Sequence, residues 1–104
     1  MRITEEAERD VENQGEFNRK KLLREIKDRL ESDRSQEEIT YISKPQFGIE
    51  FQRLKLKNKD FDHRVYFDYI DSELTVFAVR HRDYAYSDED LEKVEKRLKD
   101  MDRE

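Results

Sequence analysis

The sequence predicts an α+β fold in a single domain of residues 1–104, with helices at both ends and an antiparallel sheet between them. Three observations lead to this class. The length of 104 residues suits one small domain. Apolar residues recur at helical spacing before residue 32 and after residue 87, and β-branched and aromatic residues alternate with polar ones between Ile39 and His81. We therefore expect an N-terminal helical hairpin packed on three or four antiparallel strands, followed by an amphipathic helix.

The N-terminal hairpin is predicted from two helical segments, residues 4–14 and 17–31. Thr4 can cap the first segment and Gly15 can end it, because these residue types suit the two ends of a helix. The second segment has the stronger apolar face, formed by Leu22, Leu23, Ile26 and Leu30. Two short helices joined at Gly15 are typical of an αα-hairpin.

Four segments carry the strand pattern, namely residues 39–43, 48–57, 64–70 and 73–81. The last two are expected to pair as a hairpin around Asp71 and Ser72. If the alternation along the last strand is unbroken, its residues divide between two faces. One face would carry Leu74, Val76, Ala78 and Arg80, and the other would carry Thr75, Phe77, Val79 and His81.

Residues 88–102 return to helical spacing, with Leu91, Val94, Leu98 and Met101 on one face. Ser87 and Asp90 are placed as in a capping box, with Asp in place of the usual Glu. A small domain needs every apolar face that it has, so we expect this helix to pack on its own sheet.

The composition excludes several classes of protein. There is no Cys, which excludes Cys-based zinc sites, thiol nucleophiles and disulfides. No apolar run approaches the length of a membrane span, and the acidic, polar N-terminus is unlike a secretory signal. We expect a cytoplasmic protein that does not associate with a membrane. The net charge of −5 argues against a uniformly basic nucleic-acid binder.

The charge is distributed unevenly, however. Residues 1–43 and 87–104 each carry a net charge of −3, whereas residues 53–64 carry +3. Arg53, Lys55 and Lys57 are two residues apart on a predicted strand, so they share a face with a spacing of about 7 Å, close to that of phosphates along a nucleic-acid strand. The same lysines also suit an edge strand that resists aggregation.

A second basic cluster closes the last predicted strand. It consists of Arg80, His81 and Arg82, followed in the next loop by Tyr84 and Tyr86. Arginines beside exposed aromatic rings suit phosphates and stacked bases, although solvated surface residues show the same pattern.

The segment HRVYFDYIDSELTVFAVRHRDYAY, residues 63–86, resembles the C-terminal β-hairpin of the RelE/ParE toxin superfamily, and most closely that of its RelE and YoeB branch. The preceding FQRLKLK, residues 51–57, resembles the strand that leads into this hairpin. The segment TEEAERDVEN and the helix after it resemble the N-terminal helical pair of that family, and the C-terminal helix has a counterpart in many members. The resemblance implies a RelE-like fold over most of the chain.

The resemblance further implies the toxin of a type II toxin–antitoxin pair, an mRNA endonuclease that acts on the ribosome without a metal or other cofactor. Its chemistry is attack by a ribose 2′-hydroxyl on the adjacent phosphate, which needs a base, an acid and cations for the phosphorane. By resemblance the catalytic residues are Arg64, Arg80, His81, Arg82, Lys55 and Glu50, and the RNA-binding residues are Arg53, Lys57, Tyr84 and Tyr86. His81 is the natural acid, because imidazole titrates near neutral pH.

The sequence also departs from the family pattern. YoeB-like members place a Glu just after a Lys-Pro pair as the base, but here Lys44 and Pro45 are followed by Gln46, which cannot take a proton. Glu50 is the nearest carboxylate, and Lys55 or Lys57 is the alternative base. The strand that normally precedes the first helix is reduced to residues 1–3, and it is either short, missing or supplied by a partner.

The residues are also compatible with two other functions. A ParE-like member would inhibit DNA gyrase, but such members usually lack the basic, His-containing cluster. A non-catalytic RelE-fold protein would only bind a partner, and the missing carboxylate at Gln46 supports that alternative. The expected partners of a toxin are the ribosome with its mRNA and a cognate antitoxin. The antitoxin would cover the basic residues or displace the last helix, and toxin and antitoxin would form a hetero-oligomer.

Overall fold

A computed structural model describes residues 1–31, 38–43, 48–85 and 87–101. Two helices precede four successive strands, and another helix ends the described part of the chain. The elements are β1 (Arg2–Ile3), α1 (Glu5–Asp10), α2 (Glu16–Leu30), β2 (Ile39–Ile42), β3 (Phe51–Lys57), β4 (Asp62–Ile70), β5 (Glu73–His81) and α3 (Asp88–Met101), with 3₁₀ turns at Glu12–Gln14 and Arg82–Tyr84. The predicted α+β class is confirmed.

The sheet has five strands in the order β1-β5-β4-β3-β2. Strands β2 to β5 are antiparallel neighbours, whereas β1 pairs in parallel with β5 through Arg2 and Ile3. The predicted sheet of three or four antiparallel strands therefore needs correction to a mixed sheet of five. Strand β1 has only two residues, so it is too short to show a period of two in the sequence.

Helices cover both faces of the sheet. On one face, α1 and α2 pack through Ala7, Leu22 and Ile26 against a buried cluster formed by Leu54, Leu56, Val65, Phe67, Val76 and Val79. On the other face, α3 packs through Val94 and Leu98 on Phe51, Tyr66, Phe77 and Ala78. The expectation that α3 packs on its own sheet is thus confirmed. We call the two sides the α1/α2 face and the α3 face.

A β-bulge in the β4–β5 ladder changes the predicted division of β5 between the two faces. The register shifts between Tyr66 and Phe67, which pair with Ala78 and Val76, so Phe77 is the extra residue on β5. Phe77 and Ala78 consequently both pack on the α3 face, while Val76 and Val79 pack on the α1/α2 face. The predicted grouping of Leu74 and Val76 with Ala78 and Arg80 is therefore wrong.

Past the two residues that pair with β1, side chains form hydrogen bonds with the backbone groups at the outer edge of β5. The Val79 amide donates to Asp10 at 2.9 Å, and Arg97 of α3 donates to the Phe77 carbonyl at 3.1 Å. The Asp10 carboxylate also accepts from Arg97 at 2.7 and 3.1 Å and pairs with Arg80 at 2.7 Å. One carboxylate therefore ties α1, β5 and α3 together at the edge of the sheet.

Candidate nucleic-acid interface

Charged side chains replace apolar ones on the α3 face toward the β3–β4 turn. The strand register sets Lys55 opposite Arg64 and Lys57 opposite Asp62, and Arg82 follows the end of β5. Neighbouring strands lie about 4.8 Å apart, so these side chains form one continuous patch. We call the residues Lys55, Lys57, Asp62, Arg64 and Arg82 the basic face. It contains four cations around one carboxylate.

The two lysines of the basic face are exposed, whereas its two arginines differ. Arg82 is 57% exposed and Arg64 only 3% exposed. The Arg64 guanidinium donates to the Asp62 carboxylate at 2.9 Å and to the His63 carbonyl at 3.1 Å. Lys55, Lys57 and Arg82 are therefore the cations that a ligand meets first, and Arg64 lies beneath them.

Asp62 is the residue that joins the two arginines. Its Oδ1 accepts from Arg64 and its Oδ2 lies 3.5 Å from Nη1 of Arg82. Desolvation is the largest influence on this carboxyl and opposes ionisation, but the hydrogen bonds and charges of Arg64 and Arg82 together outweigh it and lower the pKa of Asp62. Asp62 is therefore an anion throughout the neutral range.

Arg53, predicted to bind RNA, lies on the same face as Lys55, two residues earlier on β3 and beside the residues on which α3 packs. It is opposite Tyr66 and hydrogen-bonds its hydroxyl, which in turn donates to the Ala85 carbonyl at 3.0 Å. Burial raises the pKa of Tyr66 despite the opposing effect of Arg53, so this phenol remains a donor at neutral pH. The contact fixes the chain just after β5, where Tyr84 ends a 3₁₀ turn. The side chain of Tyr84 and the whole of Tyr86 lie outside the described residues.

Arg80, predicted to be catalytic, is held on both sides by carboxylates. Its Nη1 lies 2.7 Å from Asp10 and its Nε lies 2.8 Å from Asp90 at the start of α3. The side chain is only 16% exposed. These contacts indicate that Arg80 anchors α1 and α3 to the end of β5.

His81 does not join the basic face. It pairs in register with His63, and the two imidazole rings meet edge to face with their centroids 5.3 Å apart. His63 lies on the α1/α2 face, where its Nε2 is 3.5 Å from the side-chain amide of Gln14. Successive strand residues point to opposite sides, so His81 and Arg80 are directed apart, and Arg82 in the 3₁₀ turn lies 3.5 Å from Asp62 on the basic face. The structure thus separates the predicted acid from the predicted arginines.

Glu50, one of the three candidate bases, precedes β3 and lies away from the basic face. Its carboxylate accepts a hydrogen bond from Tyr41 of the edge strand β2. That hydrogen bond is the main cause of the raised pKa of Tyr41. The Lys44, Pro45 and Gln46 segment lies outside the described residues. Among the candidate bases, only Lys55 and Lys57 belong to the basic face.

His63, which the sequence analysis did not single out, gives the fold a measurable pH dependence. It is 4% exposed, and its Nδ1 has no hydrogen-bond partner among the described residues. Desolvation, followed by the nearby charges of His81 and Arg64, lowers the pKa of His63, while Asp62 acts in the opposite sense. The folded protein therefore keeps this imidazole neutral at pH values where the unfolded chain binds a proton.

We expect the free energy of unfolding to fall as the pH falls from 7.5 to 5.5, because the pKa of His63 is lowered in the folded protein and the unfolded chain therefore takes up a proton on this residue more readily, around its ordinary pKa of 6.5. Urea denaturation at both pH values checks it, with His63→Phe as the control, since that variant keeps a ring but cannot titrate. An equally steep loss of stability in the control would contradict the assignment.

Two residues that organise this region were missed by the sequence analysis. Both precede the predicted strand 64–70, which the structure extends back to Asp62. Continuing the alternation of that strand would place Asp62 on the face of Arg64, and His63 on the buried face of Val65 and Phe67. A lone acid among cations and a lone His are also ordinary surface features.

The fold and this site together define a three-layer α+β protein with a cationic patch on one sheet face. No family model matches the chain, and no curated protein or solved structure was found to be similar to it. No group of three potential metal-ligating side chains occurs within residues 1–31, 38–43, 48–85 and 87–101. In that part of the chain, none of the helices is both long and apolar enough to cross a membrane.

Proposed function

We propose that this protein is a RelE-like toxin of a type II toxin–antitoxin system, a cytoplasmic endoribonuclease that cuts mRNA on the ribosome. The observation that carries the proposal is the basic face, where Lys55 and Lys57 are exposed beside Arg64 and Arg82. The structure is of the α+β class, as the resemblance of residues 51–57 and 63–86 requires.

The chemistry needs few protein groups, because the RNA supplies its own nucleophile. The 2′-hydroxyl oxygen bonds to the adjacent phosphorus and the bond from phosphorus to the 5′-oxygen breaks. One product ends in a 2′,3′-cyclic phosphate and the other in a 5′-hydroxyl. A base takes the proton from the 2′-hydroxyl, and the departing 5′-oxygen takes up a proton from solvent water.

In this proposal the base is Lys55, which lies opposite Arg64 in the ladder. Lys57 and Arg53 hold neighbouring phosphates along β3, and Arg82 with Arg64 balances the added negative charge of the phosphorane. Tyr84 and Tyr86 follow directly in the chain and would stack on bases. His81 is left out as the acid, because it contacts His63 on the opposite face.

The proposed partners are the ribosome with its mRNA and an antitoxin that covers the basic face. An antitoxin that instead displaced α3 would have to uncover Val94 and Leu98, which are buried against the sheet. Removing such side chains from a core costs about 1.5–3 kcal/mol each, so covering the basic face is the less costly route. Complex formation with the product of a neighbouring reading frame would make the toxin part of a hetero-oligomer.

The proposal is tested by adding the purified protein to a reconstituted translation system and mapping the ends of the mRNA. We expect cuts within the translated region that depend on ribosomes and leave 5′-hydroxyl ends. The same preparation is assayed for inhibition of DNA supercoiling by gyrase. Intact mRNA together with inhibited gyrase would replace the proposal with the ParE-like function, and no effect in either assay would favour a non-catalytic binding protein.

A further inference from the structure

Asp62 places a negative charge between the two arginines of the basic face, which is unusual for a site that binds phosphates. Its two carboxylate oxygens each face a different arginine, with Arg64 at 2.9 Å and Arg82 at 3.5 Å. Lys57 stands opposite it in the ladder. A carboxylate and a phosphate present similar pairs of oxygens to guanidinium groups. The carboxylate therefore stands where two oxygens of a phosphate would bind.

The burial of Arg64 adds to this argument. Its side chain is 3% exposed, whereas that of Asp62 is 23% exposed and that of Arg82 57% exposed. A ligand that approaches from solvent meets Asp62 before it can reach Arg64. Because a bound phosphate would bring a second anion close to this carboxylate, Asp62 must give up at least one of its arginine contacts when a phosphate binds there.

We propose that Asp62 is a specificity-determining residue that competes with phosphate for Arg64 and Arg82 and so weakens binding of free single-stranded nucleic acid. Free RNA must displace the carboxylate with its own binding energy, whereas RNA already positioned by the ribosome loses less entropy on binding. This inference rests on the proposed function for the identity of the substrate. It does not depend on cleavage, since competition between anions is a property of binding alone.

The test measures the binding of a fluorescein-labelled ten-nucleotide oligouridine by fluorescence anisotropy. The KCl concentration runs from about 50 to 200 mM, the range over which salt strongly weakens such complexes. We expect Asp62→Asn to bind about tenfold more tightly than the wild type, because two arginines gain a phosphate in place of the carboxylate. The plot of log affinity against log salt should steepen by about 0.7, which corresponds to one more neutralised phosphate.

Asp60→Asn is the matched control. Asp60 lies two residues away and pairs with Lys21 of α2 at 2.6 Å, so its replacement changes the net charge equally but leaves the basic face intact. We expect this control to bind like the wild type. Equal affinities for the Asp60 and Asp62 variants would overturn the inference, since the effect would then be one of net charge.

A second pair of variants, Arg82→Gln with and without Asp62→Asn, tests whether the gain in affinity depends on Arg82. Arg82 is exposed, so Arg82→Gln should fold normally, and the gain from Asp62→Asn should shrink at least twofold in that background. An undiminished gain would show that the carboxylate does not act on Arg82.

If the wild type leaves mRNA intact but Asp62→Asn still gains affinity, the proposed function fails and the competition stands. If the wild type cuts mRNA and the affinity is unchanged, only the competition fails.

Discussion

Replacing Lys55 and Lys57 together by Gln should reduce cleavage of ribosome-bound mRNA by about 100-fold or more, because the variant loses the proposed base and a cation that holds a neighbouring phosphate. Both side chains are exposed on β3 and Gln is also polar, so the fold should not suffer. The rate is measured in the reconstituted translation system, and the melting temperature is recorded for each variant.

The matched control is the double variant Lys20→Gln and Lys96→Gln. These lysines are exposed on α2 and α3 and are not part of the basic face, and their loss changes the net charge by the same amount. The Lys55 and Lys57 variant should also lower the salt dependence of RNA binding by at least about 0.7 in slope, for the lost phosphate contact of Lys57. Equal cleavage rates for the two double variants would show that the basic face does not carry the activity.

The second large effect is expected on stability. Asp10→Asn should lower the free energy of unfolding by about 3 kcal/mol, because two partly buried arginines lose a shared carboxylate. Asp10 is 9% exposed and accepts from the Val79 amide and from Arg97, while also pairing with Arg80. Asn supplies only one acceptor oxygen and turns its NH₂ group toward a guanidinium. Urea denaturation at pH 7 measures the loss.

Two contacts limit the size of that loss. Glu6 remains 3.0 Å from Arg97, and Asp90 remains 2.8 Å from Arg80. Glu8→Gln on the same helix is the control, since Glu8 is exposed and its replacement should change stability by less than about 0.5 kcal/mol. A similarly small change for Asp10→Asn would mean that the edge of β5 is held by other contacts.

The regular parts of the fold could be predicted from the sequence because each has a clear period. The prediction of β5 at residues 73–81 agrees with the structure, and α3 ends within one residue of the prediction. The bulge at Phe77 could not be predicted, because a period of two assumes that every residue faces one partner. Strand β1 is two residues long and depends on pairing with β5, so it leaves no pattern of its own.

The candidate site likewise has some features that could be predicted from the sequence and others that could not. The shared face of Lys55 and Lys57 follows directly from their spacing on β3, and so does the separation of His81 from Arg80 on β5. The burial of Arg64 and its contact with Asp62 depend on how β4 sits between β3 and β5. The engagement of Arg80 by Asp10 depends on packing between segments 70 residues apart. Such contacts are set by tertiary structure and leave no local signal.

The proposed activity is tested most directly in living cells by a brief pulse of expression, followed by sequencing of all RNA fragments that carry a 5′-hydroxyl. The account predicts that the wild type produces new ends within translated regions, that a translation inhibitor which empties mRNA of ribosomes abolishes them, and that the Lys55 and Lys57 double variant does not produce them. An unchanged set of RNA ends under a wild-type pulse would contradict the account.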